Sequence, residues 1–382
     1  IDRAVPNMGQ WLEEHSRYDR VYCGKWHAGG KWNVPTVAGP RKIPGFDTLP
    51  NGPGHLGRHM DYAVSSSVEA FIRNHDRSRP FLVVAGLMKP HDICFWGPGR
   101  LACGRPRGTD FFRLGDDLPV LPPNQDIEFE ELFAGPVSPK QFGDLHWRNY
   151  IYDYCRMVEM LDRDVGRMLQ AVRDTGDDTL VVFTADHGDG LGRHRRVQKW
   201  HPYDESVKVP MVVYGPTLGV RRNVVDAEHL VSGVDLMSTV CDYAGIDEPP
   251  HARGRSLRPL LEGTATDWRD NVYFELRMVG RGIRTSQYKY VVSYEQSPPK
   301  KRPSLESVFL TRDGTPTEFP RGRGDTLRRR GRPMLFDMRN DPWETRDLAA
   351  DPAYAGELAR HEAILRDEWE STLIPGHHFT RG

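Results

Sequence analysis

The stretch Thr179 to Pro210, TLVVFTADHGDGLGRHRRVQKWHPYDESVKVP, constrains the fold of this chain more than any other. Its first six residues are dominated by apolar and β-branched types and read as a buried parallel strand. Asp186 and His187 stand where the apolar run stops, and glycines then turn the chain into a polar loop rich in His. In open α/β sheets ligands sit beyond the carboxyl ends of the strands, where the backbone leaves the sheet and side chains converge. Asp186 and His187 are therefore expected at such a crevice.

Two earlier runs end in the same manner. Arg20 to Gly24, RVYCG, follows helical spacing at Met8, Trp11 and Leu12, and leads directly into Lys25-Trp26-His27. Asp61 to Arg73 has helical spacing through Val64, Val68, Phe71 and Ile72, and precedes the strand Phe81 to Leu87, which terminates in Lys89-Pro90-His91. The clearest helix is Ile151 to Thr175, with Met157, Leu161, Val165, Met168, Leu169 and Val172 on one face and Gly176 as its stop. Val209 to Tyr214 reads as a further strand and Asp235 to Ala244 as a helix ending at Gly245. The fold class is thus α/β, a mixed, mainly parallel sheet flanked by helices.

Length and texture suggest a second, smaller unit. With 382 residues the chain can bury a large core. After Ser256 short strands of antiparallel character appear at Val272 to Glu275, Arg281 to Thr285, Tyr288 to Ser293 and Pro333 to Asp337, and a final helix spans Tyr354 to Leu373. A boundary near Asp267 divides a catalytic α/β unit, 1–266, from a C-terminal α+β unit, 267–382. Gly39 to Leu56 and Phe95 to Gly143 read as long loops of the substrate-facing kind. Lys300 to Arg332, with KKR, RGRG and RRRGR, is either a solvated insertion or a basic patch for an anionic polymer.

Charge and cysteine content narrow the function. A formal net charge of -1 argues against a chain-wide nucleic-acid or membrane-surface role, which needs a large positive field. No run approaches the roughly 20 apolar residues that span a bilayer. Oligomeric state is left open. Five cysteines without CxxC pairing read as buried thiols, with a Cys94 to Cys103 disulfide as the alternative in an oxidising compartment.

Strand ends thus deliver Lys25, His27, His91, Asp186 and His187, with Lys199, His194 and His201 in the loop beyond. Unpaired buried charges are costly. Cations and imidazoles around one carboxylate suit instead a compact anion such as sulfate or phosphate, with a metal held by the carboxylate. Transfer of such a group is catalysed chiefly by holding it and neutralising its oxygens.

Over nearly its whole length the sequence resembles the type I sulfatases of the alkaline phosphatase superfamily. The likeness rests on Cys23-Gly24-Lys25-Trp26-His27-Ala28-Gly29, on the strand ending in Pro90-His91, and on the ordered series within Thr179 to Pro210. Gly282-Ile283-Arg284-Thr285, Tyr288-Lys289-Tyr290, Leu335-Phe336-Asp337 and Asn340-Asp341-Pro342-Trp343-Glu344 extend it into the smaller unit. The resemblance implies metal ligation by Asp186 and His187, sulfate binding by Lys25 and Lys199, and action of His27 on the geminal hydroxyl of the covalent intermediate. It implies His91 as general acid on the leaving alcohol. His194 and His201 are assigned to substrate binding, with loop scaffolding as the alternative. Trp26 is expected to pack beside the site. A hard divalent cation is implied, Ca2+ first, with Mn2+ or Mg2+ left open by the imidazole at position 187. Periplasmic or secreted placement follows from the family alone.

One part of the family pattern is not found. Neither a Cys/Ser-x-Pro-Ser-Arg run, the source of the formylglycine nucleophile, nor an adjacent pair of Asp ligands precedes Lys25. The chain opens Ile1-Asp2-Arg3, which reads as a mature form or a fragment whose nucleophile segment lies elsewhere, so that these residues alone are expected to be inactive or incomplete. The expected function is hydrolysis of a sulfate ester on a saccharide by a metal-assisted formylglycine mechanism. The alternatives are a phosphoester or phosphonate hydrolase of the same superfamily, and a sulfated-glycan-binding protein without catalysis.

Overall fold

A computed structural model of the chain describes residues 6–26, 43–50, 57–95, 117–127, 129, 142–176, 178–199, 201–250, 252–276, 280–293 and 332–371. The loops around Gly39 to Leu56 and Phe95 to Gly143 fall largely outside these residues, as do His27, Cys103 and nearly all of the basic run.

Helix α1, Met8–His15, begins with a reciprocal cap in which the Asn7 side chain accepts from Gln10 N and the Gln10 side chain accepts from Asn7 N. Strand β1, Asp19–Gly24, lies between β2, Asp47–Thr48, and β3, Phe81–Gly86, in a parallel three-stranded sheet. Helix α2, Gly57–Asn74, crosses over from this sheet's β2 side to β3 and packs on α3, Asp144–Thr175. Helix α3 starts seven residues before the expected Ile151, because Trp147 and Tyr150 extend its buried face. It stops where Gly176 takes a left-handed φ of 67°. Met60, Val64, Val68 and Ile72 of α2 meet Ala171 and Val172 of α3, with β3 and Val181 packed alongside. Burying each large side chain in this layer contributes about 1.5–3 kcal/mol.

Strand β4, Val181–Thr184, departs from its expected form. It is half-buried and pairs antiparallel with β5, Met211–Tyr214, and among the described residues these two form a separate sheet. An all-apolar run marks a strand but fixes neither its partner nor its direction. The short helix α4, Asp204–Val207, separates the two strands in sequence; α5, Asp235–Ala244, and α6, Arg258–Glu262, follow.

Strands β6, Asn271–Leu276, β7, Gly280–Thr285, β8, Tyr288–Ser293, and β9, Met334–Asp337, form an antiparallel meander. Its β8 alternates strictly. Tyr290 and Val292 pack towards the cluster containing Leu365 of α7, Ala355–Ser371, whereas Val291 packs with Tyr203 beside α4. Lys289 shares the latter face and is fully buried, with Asp204 at 2.8 Å and Glu344 also paired to it. The meander thus buttresses the loop that leads out of β4.

Candidate active site

Strand β1 delivers Lys25 through two close glycines. Gly24 has φ +107°, and a Cβ there would lie 2.1 Å from the carbonyl oxygen of Gly86. That approach lets Lys25 N donate to Gly86 O at 2.7 Å, while the Tyr22 hydroxyl donates to Lys25 O. Trp26 packs edge-on to Tyr22, ring centroids 5.4 Å apart.

Strand β3 ends differently from its sequence pattern. His91 reaches the site on the 3-10 turn His91–Phe95, but Lys89 turns into the core. Its Nζ lies 3.2 Å from Asp164 of α3 and 3.6 Å from Asp61 of α2, with 3% of the side chain exposed. Asp61 also accepts from Met88 N at 2.6 Å and Lys89 N at 2.9 Å, and Asp92 accepts from Gly57 N at 2.6 Å. These carboxylates hold the turn carrying His91 against both helices.

The loop beyond β4 is tied at three points. Gly188 N donates to Ser206 O at 2.8 Å, and a Cβ on Gly188 would meet Glu205 O at 1.9 Å. Buried Asp189 accepts from the Tyr150 hydroxyl at 2.8 Å, from Leu191 N at 3.0 Å and from Gln198 N at 3.1 Å. Gly190 N donates to Gln198 O at 2.8 Å. Lys199, the next residue, is thereby brought back onto His187. Its Nζ donates to His187 Nε2 at 2.5 Å, and His187 Nδ1 donates to Gly188 O at 2.8 Å.

Five of the eight sequence-selected residues therefore converge: Lys25, His91, Asp186, His187 and Lys199. The rings of His91 and His187 are 6.2 Å apart, and His187 Nε2 is 3.6 Å from the Asp186 carboxylate. Burial, then the charges of Lys25 and Lys199, push the His91 pKa down to about 4. His187 is lowered chiefly by burial, and Lys199 by burial and the neighbouring Lys25. For Asp186, desolvation by the surrounding walls works against ionisation. Its side chain is nevertheless 73% exposed, and His187, Lys25 and Lys199 prevail, holding its carboxyl below the usual range. The cradle is short of negative charge.

His194 and His201 are built into the loop, as the scaffolding alternative expects. Each is 2% exposed. His194 Nδ1 donates to Ile127 O at 3.0 Å, its Nε2 accepts from the Asn124 amide at 3.0 Å, and its ring stacks on Tyr203 at 4.0 Å. His201 Nε2 donates to Gln198 O at 3.2 Å. Burial lowers their pKa values to about 4 and about 3, so both rings are neutral fillers of the loop. Cys94 is a free thiol, and its suggested partner Cys103 lies outside the described residues.

The fit to a divalent cation is partial. Asp186 offers an open carboxylate, but Lys199 occupies His187 Nε2, and no group of three His, Cys, Asp or Glu suited to a metal occurs among the described residues. These residues do not by themselves make a cation site.

Cations, imidazoles and one carboxylate thus gather at strand ends on a mixed α/β scaffold. The family description Sulfatase matches residues 1–246. The chain belongs to the sulfatase family of the alkaline phosphatase superfamily, and its class is sulfuric ester hydrolase. The Delta 4,5-hexuronate-2-O-sulfatase of Bacteroides thetaiotaomicron is 30% identical to it over 96% of this chain and 72% of that protein. Arylsulfatase K of Mus musculus is 34% identical, covering 68% of this chain and 51% of its own length. A solved 2-O GAG sulfatase superposes with a TM-score of 0.70 at 27% identity, covering 97% of this chain and 75% of that one.

Proposed function

We propose that this protein removes sulfate from a sulfated saccharide, with Lys25 and Lys199 neutralising the sulfate oxygens as the ester bond breaks. The observation that carries this reading is the cluster in which Lys25, Lys199, His91 and His187 lie beside the exposed Asp186 carboxylate, with Lys25 and Lys199 acting on both Asp186 and His91. Electrostatic neutralisation by pre-positioned groups is worth about 100- to 1,000-fold in rate per donor. The neutral His91 ring offers its N–H as a hydrogen-bond donor to the leaving oxygen. Asp186, with its open carboxylate, and His187, once its Nε2 is released from Lys199, would supply part of the ligand set of a divalent cation, Ca2+ in the first instance, whose chemistry would be polarisation of the sulfate. His27 keeps its part at the covalent intermediate. A Cys/Ser-x-Pro-Ser-Arg source of a formylglycine nucleophile is not found in these 382 residues. Periplasmic or secreted placement, and a division into units 1–266 and 267–382, belong to the same proposal.

The saccharide preference is supported by the relative named for a Delta 4,5-hexuronate 2-O-sulfate and by the solved 2-O GAG sulfatase. The test is release of inorganic sulfate by the product of the longest reading frame containing this sequence. An unsaturated 2-O-sulfated disaccharide is expected to be cleaved faster than nitrophenyl sulfate or a phenylphosphonate ester. Faster turnover of the phosphonate would replace the sulfatase reading with the phosphonate one.

A further inference from the structure

His91 opens the 3-10 turn His91–Phe95. Three residues on, the Cys94 Sγ lies 3.8 Å from His91 Nδ1, within the reach of a sulfur hydrogen bond. The Gln198 side chain donates to Cys94 O at 3.4 Å, tying this turn to the loop that carries Lys199. We propose that Cys94 is a positioning residue for His91: its thiol hydrogen is directed at Nδ1, which fixes the neutral ring as the Nε2–H tautomer and turns that proton towards the ester oxygen.

The direction of the bond follows from the groups. A thiol is a weak donor and its sulfur a weak acceptor, whereas the unprotonated nitrogen of a neutral imidazole is a good acceptor. Cys94 keeps its hydrogen at neutral pH, because burial, reinforced by Asp92, pushes its pKa up to about 11. It is therefore no nucleophile. A histidine's working nitrogen is set by the bond its other nitrogen makes, and no other partner of His91 Nδ1 occurs among the described residues. The sequence H-D-I-C places the sulfur one helical turn beyond the ring, which is why a 3-10 turn brings them together.

The inference rests on the sulfate-ester reading for its catalytic consequence but not for its structural content, and the two are measured separately. Imidazole 15N shifts of the labelled protein at pH 8, with His91 assigned through His91→Gln, report the tautomer without any substrate. Nε2–H is expected in the wild type, and a mixture of tautomers in Cys94→Ala. Nδ1–H in the wild type, or an unchanged shift in Cys94→Ala, overturns the proposal whatever the enzyme hydrolyses. In the active full-length protein, Cys94→Ala is expected to lower kcat roughly three- to tenfold with KM little changed, the scale of one lost hydrogen bond. Cys94→Ser, which keeps a donor, is expected to restore most of it. Equal losses in Cys94→Ser and Cys94→Ala, with unchanged thermal melting, would also overturn it. Absence of sulfate release in the wild type would remove the sulfatase reading and leave the tautomer result standing.

Discussion

Replacing Lys89 by Met keeps the volume of the side chain and deletes its charge, which isolates the clamp behind His91. The ammonium lies 3.2 Å from Asp164 and 3.6 Å from Asp61. At an effective dielectric constant of about 20, each contact is worth about 5 kcal/mol of gross Coulomb attraction. Desolvation of the three groups offsets much of this, but removing one partner leaves two carboxylates facing each other in the core, at a net cost of about 3–5 kcal/mol. Against the 5–15 kcal/mol typical of folded proteins that is a large fraction. Urea denaturation followed by circular dichroism at pH 8 measures it. The pH dependence supplies a second check. Burial already raises the Asp61 pKa despite its backbone donors and Lys89, and loss of Lys89 raises it further. A carboxyl raised in the folded state favours folding below its unfolded pKa and loses that contribution as pH rises through the folded value. The deficit of Lys89→Met should therefore be smaller at pH 5 than at pH 8. A loss under about 1 kcal/mol at pH 8, or a deficit that grows on acidification, would refute the clamp.

Gly24→Ala should prevent stable folding or cost more than about 3 kcal/mol by thermal melting, since its Cβ would meet Gly86 O at 2.1 Å from a φ of +107°; near-wild-type stability would show that the strand ends do not approach so closely. His194→Ala should lower stability by about 2–4 kcal/mol through a cavity beneath Tyr203 while leaving KM for the saccharide within about twofold; a selective rise in KM would return His194 to substrate binding. Burial, followed by Glu344, pushes the Glu205 pKa up to about 8. Its stabilising contribution is present below the ordinary carboxylate range and is lost as pH rises to about 8. Glu205→Gln should flatten the decline of melting temperature between pH 5 and pH 9, and an unchanged slope would count against that assignment.

The elements of this fold were legible wherever one period dominated. Val64, Val68 and Ile72, the long face of α3, and the runs of β1 and β3 all form as their spacing implies, because each buries one stripe or one short run. Lys25, His91, Asp186, His187 and Lys199 could be chosen because each follows a strand end or a glycine turn. What sequence left open was direction. Lys89 and His91 occupy equivalent-looking places after β3, yet only the positions of Asp61 and Asp164 on two separate helices decide that the lysine turns inward. The partner of β4 is likewise set by tertiary packing. His194 and His201 lie in the same polar loop as Lys199, and their burial depends on Tyr203 and on the meander behind it. Asp189 and Tyr150 are 39 residues apart, so the bond that anchors the loop leaves no local pattern.

The anion cradle is tested most directly by the rate of sulfate release from the 2-O-sulfated disaccharide in Lys199→Ala, compared with wild type in the full-length protein. Loss of one neutralising cation should lower kcat by about 100-fold or more, with the fold retained by circular dichroism. A variant that releases sulfate within a few-fold of the wild-type rate would contradict the placement of Lys199 at the reacting group.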